Sequence, residues 1–479
     1  MKKIFFLLTG ALLTVSCNKD FIEILPISTV SVEAVYKTDK DFQDAITAAY
    51  NTLQTQYQTF WKFGDLPGED IAEEIPNQFE NVAIDQFNVD SRLSIIGSSW
   101  QNYYRMIFRA NTLLAKIESA DAAIVKNKPR YIGEARFLRA LAYFDLVRIF
   151  GDVPFVTKPI TVQETYKTGR EKADRIYDEI IIKDLMDAET KLPPKYTGAD
   201  VGRPTSGAAS ALLGRVYLTR KDFVNAEAKL TKVTSMGYAL LPNFRDLFDY
   251  SKNEHHNEYI FDVEYEEGIN EGSIFPLALF PFAKVITDFY GFTSGTPGNS
   301  GSPTETLFQA FDSSDPRRAI TVNYGVTING VFVPVPTQSI QASKSFTTKY
   351  IAPSAIAGDS KANWKVIRYA DVLLMLAEAL NENSKSTEAA TYLNQVRKRV
   401  GLTGYTNLSQ SDLREKIYLE RRFELTMEGH RWFDLVRTGR SLATLQKLGM
   451  KANMVVFPLP LAQIQIINDP AVLPQNPGY

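Results

Sequence analysis

Apolar residues along this chain recur mostly at helical intervals. Phe42, Ala45, Ile46, Ala49 and Leu53 mark one helical face between Asp41 and Gln54. The same spacing predicts helices over 95–117, 129–150 and 174–192, of which 129–150 is long, amphipathic and rich in Ala, Leu and Arg. Gly151-Asp152-Val153-Pro154 ends that helix, and Pro193-Pro194 ends the next. Leu213-Gly214-x-x-Tyr217 then has the spacing of a tetratricopeptide helix, with Ala226 and Leu230 where its partner takes a small and a large residue. Leu376-Ala377-x-x-Leu380, followed by Ala389, Leu393 and Val396, repeats that frame at the same interval. Segments 41–54 with 101–117, and 131–150 with 174–192, are two weaker pairs. Roughly four such units suffice to stack into one continuous core.

Two stretches break the helical pattern. Between 56 and 93 the periodicity gives way to Gly64, Pro67, Gly68 and Pro76 among acids and aromatics. Loops of that length in a compact domain are usually functional or disordered. From 261 to 363 the pattern fails again. Tyr259 to Glu264 alternates like a strand, 291–303 is dominated by Gly, Ser, Thr and Pro, and 322–335 reads as a hairpin turning at Asn329-Gly330. Recognition loops are expected in such an insertion.

The most tightly specified stretch runs from Glu420 to Arg437. Leu419, Phe423 and Met427 recur at i, i+4, i+8 as one buried stripe, and Glu420, Glu424 and Glu428 recur beside them. Three stacked carboxylates repel unless cations answer them, and Arg421, Arg422 and Arg431 are the nearest in sequence. Gly429 divides the stretch into two helical pieces. Trp432, Phe433 and Val436 form a second apolar surface that ends at Gly439, a C-cap. The tail from 451 is extended through Val455-Val456-Phe457-Pro458-Leu459-Pro460 and then helical, wrapping the scaffold.

Composition narrows the function. The 479 residues are 44% hydrophobic and 23% charged, with a net charge of −2, an ordinary globular balance. A pI near 6.1 argues against a nucleic-acid partner. At the N-terminus Lys2-Lys3 precedes an apolar run from Ile4 to Val15, then Ser16 and Cys17. That run is shorter than the roughly 20 residues that span a bilayer. It has the layout of a secretory signal, and Cys17, the sole cysteine, stands where a bacterial lipidation site would be. No H-E-x-x-H, Walker lysine loop or G-x-S-x-G elbow occurs, so no catalytic residues, metal site or cofactor are assigned. His430 and Asp434 stand at i, i+4 but inside the packed signature, and read as core. Glu264, Glu266 and Glu267 read as a solvated face. A sugar site needs flat rings beside fixed polar groups. Trp61, Tyr290 and Phe292 are the ring candidates, with Asp65 and Asn299 as hydrogen-bond candidates. They are expected on one open face, with the early loop and the insertion side by side. Trp100 and Trp432 read as structural.

Several motifs occur in a familiar order: Cys17-Asn18-Lys19-Asp20-Phe21; Trp100-x-x-Tyr103-Tyr104 with Asn111; Glu134-Ala135-Arg136-Phe137-Leu138-Arg139-Ala140; Asp315-Pro316-Arg317; Ile367-Arg368-Tyr369-Ala370-Asp371; Glu420 to Arg437; and Gln475-Asn476-Pro477-Gly478-Tyr479. Together they resemble the SusD/RagB family of nutrient-binding lipoproteins across essentially the whole chain. The resemblance implies an all-α dominated, SusD-like TPR-type scaffold with an irregular, partly β insertion. It implies an outer-membrane, surface-exposed protein, lipid-anchored at Cys17, that captures oligosaccharides or polysaccharides for a SusC-like TonB-dependent transporter. A peptide-binding, RagB-like version and a TPR protein–protein adaptor are the alternatives. The expected organisation is a signal peptide (1–16), an anchored leader (17–40), a helical scaffold (41–260) with the early loop system 56–93, a ligand-binding insertion (261–363), a second repeat with the signature helices (364–440) and a wrapping tail (441–479).

Overall fold

A computed structural model describes residues 36–252, 254–336 and 345–479. The signal segment, Cys17 and the leader up to residue 35 lie outside the described residues.

Helices make up about 51% of the molecule. The scaffold contains α1 (Asp39–Tyr57), α2 (Ser94–Glu118), α3 (Lys128–Phe150), α4 (Ile182–Lys191), α5 (Ser206–Thr219), α6 (Phe223–Thr234), α7 (Tyr369–Glu382), α8 (Ser386–Arg399), α9 (Gln410–Leu425) and α10 (Arg431–Arg437). Each packs on its neighbours as antiparallel helical hairpins do: α1 on α2, α3 on α4, α5 on α6 and α7 on α8. The pairs then stack through α2 on α3, α4 on α5 and α6 on α7. α1 begins at a capping box in which the Thr38 hydroxyl and the Asp41 carboxylate each satisfy the other's backbone N–H. The tetratricopeptide spacing has a steric cause at Gly214, where a Cβ would lie 2.6 Å from Leu230. α5 and α6 approach that closely only because the position is glycine.

α3 differs from expectation. It is not amphipathic but buried on nearly every face, because α1, α2 and α4 pack around it. Its polar residues are therefore all answered internally. Glu134 accepts from Arg203 and Tyr50, Arg139 donates to Asp184 and Asn111, and Asp145 accepts from Tyr57, Tyr103 and Arg148. A π-helical turn at Tyr177–Ile181 leads into α4, a feature the spacing of apolar residues did not signal.

Strands are short and come in antiparallel pairs. β1 (Ile71–Ala72) pairs with β5 (Ser302–Pro303), β2 (Val153–Pro154) with β3 (Arg170–Glu171), β4 (Tyr259–Val263) with β8 (Trp364–Arg368), and β6 (Gly325–Ile328) with β7 (Val331–Pro334). The β6–β7 hairpin turns at Asn329 and Gly330, both with positive φ, as a two-residue type I′ connection requires. β4 and β8 bracket the insertion and join its two ends. Trp364 on β8 is fully buried, parallel to Tyr350 at 5.6 Å and edge-on to Phe275 at 5.2 Å.

The signature stretch lies between insertion and scaffold. α9 ends at Leu425, Met427 and Gly429 take left-handed conformations, and α10 follows. The stacked glutamates are not answered by the arginines beside them in sequence. Glu420 pairs with Arg317 and Arg397 at 2.8 Å each, Glu424 with Arg317, Arg368 and Arg399, and Glu428 with Arg368 and Lys349. Arg421 instead serves Asp371 and Asp434, Arg422 serves Asp70, and Arg431 serves Glu69. The reason is helical geometry: a residue one position on points about 100° away, to a different partner. Burial alone would raise the Glu428 carboxyl, but Arg368 and Lys349 outweigh it and hold it down at about 2. His430 is kept neutral, pushed down to about 3 chiefly by burial.

The tail crosses the C-terminal end of α3. Phe457 N–H donates to Ile149 O at 2.7 Å, and the Asn476 amide donates to Phe150 O at 2.9 Å.

Candidate functional site

The fold brings the early loop and the insertion together, as the broken periodicity suggested. β1 and β5 pair with Ile71 opposite Pro303 and Ala72 opposite Ser302. Thr304 N–H donates to Asp70 O at 2.9 Å, and the Asn81 amide donates to Ser300 Oγ at 3.4 Å.

That junction is closed, which corrects the expected place of three residues. Trp61 is 2% exposed, with its ring beneath Gly301, where a Cβ would lie 2.9 Å from it. It offers no open face on which a sugar could stack. Asp65 is equally buried and accepts the Gly429 N–H at 2.7 Å. Burial pushes its carboxyl up to about 8, so it is protonated at neutral pH. Asn299 is buried in a left-handed turn, its N–H donating to Phe280 O at 2.9 Å and its Oδ1 accepting from Phe282 N–H at 3.4 Å. All three are parts of the junction.

Tyr290 and Phe292 lie elsewhere, half-buried against a small separate core of Phe280, Ala283, Ile286, Val326, Val335 and Phe346. Phe292 stacks on Phe280 with centroids 4.3 Å apart, and Tyr290 meets Phe280 edge-on at 5.7 Å. Trp61 belongs to the main core and Tyr290 to this satellite, so the two rings do not share one open surface.

The opening is beside Phe292. A shallow cleft of about 660 Å³ is lined by Phe282, Lys284, Thr287, Asp288, Phe292 and Thr293, with Gly291, Gly295 and Pro297 on its rim. The helix Lys284–Tyr290 forms one wall and ends at Gly291, whose φ of +81° turns the chain back along the cleft. Phe282 is 57% exposed. Lys284 donates to both Asp288 oxygens at 2.8 Å, and the Thr287 hydroxyl donates to Lys284 O at 2.9 Å. An open ring beside hydroxyls and a charge pair is the set that sugar binding needs. Sequence reasoning missed Phe282. It lies in the apolar run from Ile274 to Ala283, where neither helical nor strand spacing tells an exposed ring from a core one.

A second cleft, of about 540 Å³, lies between α2 and the tail, lined by Trp100, Tyr104, Phe108, Pro154 and Ile467 among others. Among the described residues, no group of three or more His, Cys, Asp and Glu side chains could hold a metal ion.

Two family models match the chain: one described as SusD family over residues 335–479, the other as starch-binding associating with outer membrane over residues 20–218. SusD-like protein P2 of Formosa agariphila is 28% identical over 498 residues, covering 95% of each chain. Starch-binding protein SusD of Bacteroides thetaiotaomicron is 24% identical, covering 73% of each. Among solved structures, a laminarin binding SusD-like protein superposes with a TM-score of 0.79 at 28% identity, covering 93% of this chain and 100% of the other. Surface glycan-binding protein A from Bacteroides thetaiotaomicron, in complex with laminarihexaose, shares the fold with a TM-score of 0.77 at 21% identity, covering 92% of this chain and 100% of the other.

Proposed function

We propose that this chain is a member of the SusD/RagB family and binds glycans at the outer membrane through the cleft beside Phe282. The observation that carries the reading is an exposed aromatic ring over a cleft with hydroxyl groups, on the part of the chain where the repeat stack is interrupted. A sugar's C–H face covers such a ring while its hydroxyls reach Thr287, Thr293 and the backbone of the Gly-rich rim. The role is capture without bond cleavage. Delivery to a TonB-dependent transporter, and a lipid tether at Cys17, extend the same proposal. Co-purification from membranes tests the first. Cys17→Ala tests the second, with release of a folded protein from the membrane fraction as the expected result.

Titration with laminarin and starch oligosaccharides tests the site. Phe282→Ala is expected to weaken binding by about 1–3 kcal/mol, the scale of one binding hot spot, with an unchanged melting temperature. Trp61→Ala is expected to do the opposite. It leaves a large cavity in the main core and costs ~3–5 kcal/mol of stability. Undiminished binding by a well-folded Phe282→Ala variant would move the site, and Phe108 in the cleft beside α2 would be examined next. Binding of peptides in place of glycans would favour the RagB-like alternative.

A further inference from the structure

The chemistry of the insertion bears on which glycans it accepts, an argument that rests on the glycan reading above. Among the described residues that line the cleft the one cation is Lys284, and that ammonium is bonded to both oxygens of Asp288. Its own charge is therefore balanced before any ligand arrives. The surroundings tilt further toward negative. Residues 261–363 contain ten Asp and Glu against six Lys and Arg. Two of those cations, Arg317 and Lys349, are fully buried in ion pairs with the signature glutamates. Arg318 lies over the Phe308 ring.

The negative side is also close at hand. Ser294, in the loop that runs along the cleft, donates to Ser354 O at 3.1 Å, and the next residue, Ala355, donates its N–H to Glu267 at 3.2 Å. Glu266 and Glu271, on that same acidic loop, are exposed. A polymer carrying uronate or sulfate groups would bring its charges beside these carboxylates, and Lys284, the one cation among the described residues that line the cleft, is already paired. It would have to displace Asp288 from Lys284 and leave that carboxylate facing the ligand's own anion. Uncharged hexose or pentose polymers meet no such cost, because ring stacking and hydroxyl contacts need no countercharge.

We propose that this cleft selects uncharged polysaccharides and rejects uronate- and sulfate-bearing ones. Affinity electrophoresis of the folded protein tests this. The neutral probes are laminarin, mixed-linkage glucan and xylan backbone oligosaccharides, and the anionic probes are alginate, polygalacturonate and carrageenan. Runs at about 0.01 M and about 0.15 M ionic strength change the screening length from roughly 30 to roughly 8 Å. A neutral polymer is expected to retard the parent protein equally at both, and the anionic polymers at neither. Asp288→Lys reverses one charge on an exposed side chain in the last turn of its helix, where a cation suits the helix dipole. This variant is expected to gain salt-sensitive binding to the anionic polymers by about tenfold. Parent protein retarded by an anionic polymer, or a folded Asp288→Lys variant that gains no anionic binding, would overturn the charge argument alone. A parent protein retarded by none of the polymers would overturn the glycan reading beneath it.

Discussion

Trp61 and Phe282 show how burial divides residues of similar chemistry. Both are aromatic and both border an irregular segment, yet one is a core anchor and the other an exposed ring. The difference lies in what packs against each. Gly301, from the insertion, closes over Trp61, whereas among the described residues Phe282 is left 57% exposed. Asp65, next to the Trp61 helix, carries a consequence that can be measured. Burial holds its folded carboxyl up at about 8, well above the ordinary aspartate range, so the folded state holds a proton that the unfolded chain releases. Its contribution is therefore most favourable below about 4 and is lost as pH rises toward about 8. Asp65→Asn keeps an acceptor for the Gly429 N–H but removes the titration. Its melting temperature is expected to match the parent's near pH 3 and to exceed it near pH 9. Equal slopes of melting temperature against pH would refute this account.

At the scale of elements, joints between segments depend on glycine contacts more than on helix propensity. The short helix Trp61–Gly64 meets the signature turn where Gly64 and Gly429 touch. A Cβ on Gly64 would lie 2.4 Å from the Gly429 carbonyl oxygen, and backbone cannot step aside as a side-chain tip can. Gly64→Ala is expected to destabilise the protein by at least ~1–3 kcal/mol, the cost of overpacking a tight core. Gly97 in α2 has nothing within 4 Å of its Cβ position. Gly97→Ala is expected to stabilise by about 0.4–1 kcal/mol, through a less flexible unfolded chain and better helix propensity. Denaturant unfolding of the two variants checks the pair, and an order opposite to this would show that the Gly64 joint is looser than its geometry implies.

Over the whole molecule, the buried ion network ties α7, α8, α9, β8 and the insertion into one body. Arg368, on β8, reaches Glu258, Glu424 and Glu428, while Arg317 of the insertion reaches Asp315, Glu420 and Glu424. Removing one partner leaves a buried charge uncompensated. Arg368→Met is accordingly expected to cost ~3–5 kcal/mol, although such networks as a whole can add little net stability. The acid response follows from the depressed carboxylates. Burial opposes ionisation at Glu424, Glu428, Asp371 and Asp434, but their arginine and lysine partners outweigh it and hold all four below their ordinary range. Their stabilisation is complete above about pH 4.5 and declines as pH falls toward about 2. Thermal melts between pH 2 and pH 6 are expected to show a steep loss on the acid side. A flat profile there would mean that the pairs contribute little.

What the sequence alone determined was every feature carried by local repetition. Helical spacing placed the scaffold helices, the two matching tetratricopeptide frames located α5–α6 and α7–α8, and Asn329-Gly330 marked the hairpin. The order of family motifs pointed to a family that the comparisons support. Even the meeting of early loop and insertion was legible, because two segments that both leave the repeat stack have few places to go. Only the tertiary structure decided partners and exposure. The cations serving Glu420, Glu424 and Glu428 come from residues distant in sequence, and α3 lost its solvent face to three neighbours. Trp61 closed under Gly301 while Phe282 opened onto a cleft. Helix periodicity follows from bonds between near neighbours, so it is written locally. Exposure and charge pairing depend on which distant surface arrives, and that is set only when the whole chain has packed.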